Sequence, residues 1–384
     1  MKEGNPMTVT SSLLAKRPAN VRKVFNDVPA PLVNGKALYD AAKKERFIVG
    51  AFNVRCLLSA PGIALAAKEA DSVLVYEIAK SEISYTGLQP EVFARGIVEA
   101  VRRVNGEVPY GIHADHTTVK DATPKSIEEA RDIIRRSIAN GYTSISIDAS
   151  HNANEDNLRI TADLGKHVQE AGIGLEVEIG EIGGERGFST PEEAKWFING
   201  LIRQGVVPDL LAINNGSVHG NYGPGTGEGI QLDLTKKIYE SVKRWNVGIA
   251  QHGITGTPLK KIEQFVDYGI FKGNVATLWQ NIVFGLKMDD QGNTVYNERG
   301  DYIKLENEGL PMDLWAQVAA WMKETNNTGG NIKKALIQFK DKIESIDKKY
   351  KERIDRATFE WANKMFAAFR AKGSGEKALN YIGR

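Results

Sequence analysis

From Ile48 to Leu286 one pattern repeats eight times: a short apolar run, then an amphipathic stretch of helical length. The runs are Ile48–Asn53, Ser72–Glu77, Tyr110–Asp115, Ser144–Asp148, Gly174–Ile179, Leu210–Asn214, Val247–Gln251 and Ile270–Val275. The helical patterns are Ala60–Ala70, Pro90–Val104, Ser126–Asn140, Asn154–Ala171, Pro191–Gln204, Asp233–Trp245, Pro258–Tyr268 and Thr277–Leu286. Most of the runs are continuously apolar rather than alternating, as expected of strands covered on both faces. Eight strand–helix units in about 250 residues predict an α/β fold of the (β/α)8 TIM barrel type. An open doubly wound sheet would need a glycine-rich dinucleotide loop after its first strand, and Phe52-Asn53-Val54-Arg55-Cys56 is not one.

The pattern sets three expected regions: an N-terminal extension (1–35), the barrel (36–288) and a C-terminal helical extension (289–384). The break after Lys287 is the turn-rich Asp289-Asp290-Gln291-Gly292-Asn293. Residues 309–371 read as helices, ending in an apolar face of Phe359, Trp361, Phe366 and Phe369 expected to pack on the barrel or a partner subunit. The first 25 residues carry Lys2, Lys16, Arg17, Arg22 and Lys23 against Glu3, without the apolar core of a secretory signal. A disordered or partner-clasping arm is expected there, with a transit peptide as the alternative. A formal net charge of +2 gives no global field favouring nucleic acid or an anionic membrane. No apolar run approaches the ~20 residues of a membrane span. The single cysteine, Cys56, excludes an internal disulfide and a cysteine-rich zinc site, and fits a cytoplasmic protein.

In a barrel the chemistry sits where strands end. Five of the six histidines fall there: His113, His116, His151, His219 and His252, while His167 lies within a helix. Imidazoles from three separate strand ends, in His113-Ala114-Asp115-His116, at His219 and at His252, can hold a divalent metal and leave a coordination position open. Asp115 then either orients a histidine or moves a proton. Glu176 and Glu178 share one strand face, where inward carboxylates are costly unless paired or metal-bound. Gly183-Gly184 and Gly187 suggest a loop that carries Glu181 or Glu185 over the site. Gly220, Gly253, Thr255 and Thr277 could cradle a phosphate with backbone N–H groups.

From about Gly50 to Gln280 this constellation resembles the class II, metal-dependent fructose-bisphosphate aldolases. The likeness rests on His113-Ala114-Asp115-His116, Ser146-Ile147-Asp148-Ala149-Ser150-His151, Glu176–Glu185, Val218-His219-Gly220, His252-Gly253 and Asn274. It implies a homodimer or homotetramer of glycolysis and gluconeogenesis, with Zn2+ or another divalent metal on His116, His219 and His252. Glu178 would serve an alternative or second metal position. Asp115 would transfer the C4 hydroxyl proton, with Glu185 a second catalytic carboxylate. Asn274 would contact the dihydroxyacetone moiety, Asn53 the substrate, and Gly220, Gly253, Thr255 and Thr277 the phosphate.

Four departures concern the substrate. Gly253-Ile254-Thr255-Gly256 stands where Gly-Gly-Ser-Gly is usual, and Asn274-Val275-Ala276-Thr277 where Asn-Ile-Asp-Thr is usual. Arg186 replaces an acid, and Ala79 stands near a common serine. Fructose 1,6-bisphosphate is the default substrate. Tagatose 1,6-bisphosphate, a sulfo-sugar phosphate or a monophosphate are alternatives, as is a non-catalytic sugar-phosphate-binding barrel. The distal phosphate would fall to Arg55, Arg186 or a neighbouring subunit's tail arginine.

Overall fold

The computed structural model describes residues 11–180, 187–218 and 229–384. Eight parallel strands close into a barrel in sequence order. They are β1 (Val49–Asn53), β2 (Leu74–Ala79), β3 (Tyr110–Thr118), β4 (Ser144–Asp148), β5 (Gly174–Ile179), β6 (Leu210–Ile213), β7 (Gly248–Gln251) and β8 (Ile270–Val275). The expected (β/α)8 barrel is the observed fold. Nearly every strand residue is buried, because helices cover the outside and side chains fill the inside. Local chemistry starts the covering helices: Thr123 accepts the Ser126 N–H ahead of Pro124–Ala139, and Thr190 accepts that of Glu193 ahead of Pro191–Arg203.

β3 runs three residues past its expected end and carries a bulge against β4. Ala114 pairs with Ile145 but Thr117 pairs with Ile147, so β3 holds one extra residue. His116 absorbs the irregularity at φ 38°, a conformation uncommon for a side chain of its size. In a regular strand Asp115 and His116 would face opposite sides of the sheet. The bulge is what turns both toward the barrel mouth.

The helix Gly35–Glu45 lies across the opposite end of the barrel. Its buried Tyr39 reaches in, with its hydroxyl 3.0 Å from Ser144 Oγ. Residues 11–34 dock on their own barrel: Arg17 donates to the carbonyls of Phe25 and Val28, and Asn20 to those of Ile138 and Tyr142. The crossover after β7, expected as one helix over 258–268, is a single turn (Leu259–Ile262) and a 3-10 turn (Phe265–Tyr268). The long C-terminal helix Lys348–Ala368 packs chiefly on Ala60–Ala70 and also touches this short turn. Phe366 and Phe369 are buried against Phe52 on the outside of β1, at ring centroid distances of 5.5 and 6.4 Å, so the expected packing of this aromatic face on the barrel is observed.

This helix also lies so close to Ala60–Ala70 that a Cβ at Gly62 would sit 2.4 Å from the Asp355 carbonyl oxygen. The Asp355 carboxyl shares this seam, and burial pushes it up to about 6, with Glu352 adding repulsion and the Gly62 N–H opposing. A carboxyl raised in the folded state favours folding only while protonated, so its contribution is lost as pH rises through about 6. Asp355→Asn is therefore expected to be more stable than the wild type at pH 7.5, by on the order of 1 kcal/mol after allowing for partial exposure. The difference should vanish near pH 4, as urea denaturation at the two pH values would show. Among the described residues, no helix is long and apolar enough to cross a membrane.

Candidate active site

The C-terminal ends of the strands surround an open cavity of about 700 Å³. Asp115, His116, Glu178, His252 and Asn274 all line it. The His116 and His252 rings, from β3 and from the residue after β7, meet edge to face with centroids 4.3 Å apart. Asp115, His116 and His252 offer donor atoms all within 4.8 Å of one another, and so do His116, Asp148 and Glu178. Two imidazoles with neighbouring carboxylates form a donor set that suits zinc and other divalent metals. Cys56 lies outside this cavity, so no thiol competes for the ion.

Each group is held from behind. His116 Nδ1 lies 3.1 Å from Glu178 Oε2 and 3.3 Å from Asp148 Oδ2. Burial disfavours its charged form, but Glu178 and Asp115 overcome that and raise its pKa well above the ordinary value. Burial, reinforced by Asp148, pushes Glu178 up to about 8. Asp148 is itself anchored by the Ser150 N–H and hydroxyl, at 3.1 and 2.7 Å. His252 directs Nε2 to Glu176 at 2.9 Å, which leaves Nδ1 toward the Asn274 amide at 3.4 Å. Asp115 receives Asn53 Nδ2 on one oxygen at 2.9 Å and Asn274 Nδ2 on the other at 3.1 Å. Burial opposes its ionisation, yet the charges of His116 and Lys272 hold it well below the usual carboxylate range.

Beneath this layer runs a second one. Lys272, fully buried inside β8, reaches Glu176 at 2.8 Å and Glu77 at 3.0 Å, and donates to Asn274 Oδ1 at 3.0 Å. That last bond fixes the Asn274 amide so that its NH2 faces Asp115 and His252. Burial and then Asp115 raise Glu77 well above the carboxylate range, while Lys272 holds Glu176 low. One ammonium thus meets one carboxylate and one neutral acid. His113, expected only as a strand-end histidine, belongs to this layer: Nδ1 is 2.8 Å from Ser144 Oγ, and burial and Lys272 drive it down to about 3.

Of the expected site residues, the structure gathers Asn53, Asp115, His116, Glu178, His252, Gly253, Thr255, Asn274 and Thr277 around one cavity. Gly253 has φ +66°, and a Cβ there would lie 2.3 Å from the Val218 carbonyl oxygen, so only glycine fits. Thr255 Oγ1 approaches the Leu278 N–H at 3.4 Å, tying the end of β7 to the start of the Thr277–Phe284 helix. His219, Gly220, Glu181, Glu185 and Arg186 lie outside the described residues. Sequence reasoning missed Asp148 and Lys272. Both carry a readable signal, a charged side chain within a short strand-forming run.

These features define a (β/α)8 barrel with a candidate metal centre at its mouth. Residues 33–331 match the family model described as fructose-bisphosphate aldolase class-II. The chain is 29% identical over 262 residues to the fructose-bisphosphate aldolase of Ureaplasma parvum, covering 68% of this chain and 84% of that one. It is 31% identical over 253 residues to that of Streptococcus pyogenes serotype M3, covering 64% and 79%. The crystal structure of fructose-bisphosphate aldolase from Campylobacter jejuni shares the fold, with TM-score 0.61 at 19% identity over 90% of this chain and 97% of that one. The chain belongs to the class II fructose-bisphosphate aldolase family, whose members are metal-dependent lyases.

Proposed function

We propose that this protein cleaves and forms the C3–C4 bond of a ketose phosphate, with fructose 1,6-bisphosphate the default substrate and zinc the default metal. The observation that carries this reading is the meeting of His116, His252 and Asp115 at one open cavity. His116 and His252, with His219, would hold the ion, and Glu178 would serve a second or alternative position. A divalent metal there supplies Lewis acidity for the negative charge that develops on the ketose fragment as the bond breaks.

The chain's own groups supply the rest. Asp115, kept ionised by its neighbours, takes the proton of the C4 hydroxyl in the cleavage direction and returns it in synthesis. Asn53 and Asn274 fix both of its oxygens, so the base has one orientation. Gly253, Thr255 and Thr277, with Gly220, would hold the ketose phosphate at the β7–β8 side, where barrels often bind this group. Glu185 is the candidate second proton carrier. Ala79, Ile254 and Ala276 also line the cavity. They support keeping tagatose 1,6-bisphosphate and sulfo-sugar phosphates beside the default. The reading includes a cytoplasmic setting and a homodimer or homotetramer.

Incubating the purified protein with ketose phosphates, before and after chelation, tests this. Cleavage that a chelator abolishes and added zinc restores is the expected result. Cleavage indifferent to metal removal contradicts the mechanism, and no cleavage of any ketose phosphate contradicts the class.

A further inference from the structure

Behind Asn53 stands a carboxylate that the proposed chemistry leaves unused. Glu82 lies in the first turn of the helix Lys80–Thr86 and is buried. Its Oε2 accepts the Ala79 N–H at 2.9 Å, the bond by which a glutamate at this place caps its own helix. A capping role would end there. The same oxygen also accepts Asn53 Nδ2 at 3.2 Å, from the end of β1. Oε1 accepts Arg55 Nε at 2.5 Å and the Tyr85 hydroxyl at 3.4 Å. Arg55 is in turn tied to Gln280 Oε1 at 3.1 Å, on the helix Thr277–Phe284. Glu82 borders the cavity, but these donors already occupy both of its oxygens.

Asn53 therefore spends both amide protons on carboxylates, one on Glu82 and one on Asp115 Oδ2 at 2.9 Å. The two acceptors fix which end of the amide is the NH2, because a flipped amide would set its oxygen against two carboxylate oxygens. With Asp115 as its one acceptor the amide would be held at a single point and could swing about it. Glu82 supplies the second point. The line Gln280–Arg55–Glu82–Asn53–Asp115 thus runs from the cavity wall to the proton carrier, each link a hydrogen bond of 3.2 Å or less. Arg55, by pairing with Glu82, makes a buried carboxylate tolerable at this place.

We propose that Glu82 is a positioning residue for proton transfer: it locks the Asn53 amide, and through it the Asp115 carboxylate, in the orientation that meets the C4 hydroxyl. The inference rests on the aldolase reading and extends it to a residue outside the reacting groups. A carboxylate held by donors from β1, from the loop after it and from its own helix is suited to this task, since a locked neighbour is what keeps a proton carrier in one geometry.

The test measures kcat and KM for cleavage of fructose 1,6-bisphosphate, or of tagatose 1,6-bisphosphate where the wild type prefers it. The variants are Glu82→Gln, Asn53→Ala, the two combined, Arg55→Met, and Glu82→Gln with Arg55→Met. Glutamine has the shape of glutamate but brings an NH2. Beside the guanidinium its oxygen must face Arg55, which turns the NH2 onto Asn53 and breaks the lock. Glu82→Gln is therefore expected to lower kcat by about tenfold, with KM within about threefold of wild type and bound zinc unchanged. In the Asn53→Ala background it should lower kcat no further, because its effect runs through Asn53. Methionine at position 55 frees the glutamine oxygen to turn back to Asn53, so the Glu82→Gln, Arg55→Met protein should return to within about threefold of the kcat of Arg55→Met alone. Thermal unfolding checks that each variant folds. A residue that only caps its helix would lose stability and leave kcat alone. That result, a loss that multiplies with that of Asn53→Ala, or one that Arg55→Met does not relieve would overturn the assignment while leaving the aldolase reading intact. Wild type that cleaves no ketose phosphate removes both.

Discussion

Asp115→Asn is expected to lower the rate of ketose phosphate cleavage by about 10²–10⁴-fold, with the protein folded and its metal retained. The replacement is isosteric, and Asn53 and Asn274 already hold the position from both sides, so the side chain stays in place. One of those donors would face an amide NH2 instead of an oxygen, at a cost of about 1 kcal/mol. The loss is therefore chemical: an amide does not accept the C4 hydroxyl proton. Single-turnover cleavage measured beside metal content separates the two roles open to this residue. Activity within tenfold of wild type would mean that the proton travels elsewhere. Loss of the metal would make Asp115 a ligand, a role its distance to His116 and His252 also permits.

The largest effect on stability is expected from Lys272→Met. Methionine matches the length of the lysine stem but strips the buried layer of its one ammonium. Glu176 would then be a carboxylate inside the barrel with only His252 and His113 beside it, and Glu77 would face it without a mediator. Removing one partner of a buried pair leaves an uncompensated charge and costs roughly 3–5 kcal/mol. That is a large share of the ~5–15 kcal/mol that holds a typical domain. Urea denaturation of the two proteins measures it. Asn274 would also lose the bond that orients its amide, so activity should fall even where the variant is folded. Stability within 1 kcal/mol of wild type would mean that Lys272 is not what keeps those acids inside.

The barrel was legible in the chain because strands buried on both faces leave unbroken apolar runs, and seven of the eight connecting helices fall where periodicity places them. The exception, after β7, shows why local pattern has a limit: the apolar spacing runs on over 258–268, yet the backbone there is one helical turn and a 3-10 turn. Much of the candidate site was legible for the same reason. Polar residues such as Asp115, His252 and Asn274 interrupt apolar runs at strand ends, and in a closed barrel such ends converge. The β3 bulge was not legible. Strict alternation turns His116 away from Asp115, and the extra residue that brings them together appears only in the pairing with β4. The 3-10 segment Gly329–Lys334 was hidden for another reason: nothing local to it tells that Lys333 comes to line the cavity beside Tyr85.

The proposed chemistry needs a cation shared by side chains of β3 and of the β7 end, and locating that cation tests it most directly. A crystal structure of the zinc-loaded protein, with anomalous differences recorded at the zinc edge, is expected to show a peak within about 2.0–2.2 Å of imidazole nitrogens of both His116 and His252. A peak confined to other residues, or none in the cavity at full zinc occupancy, would contradict it.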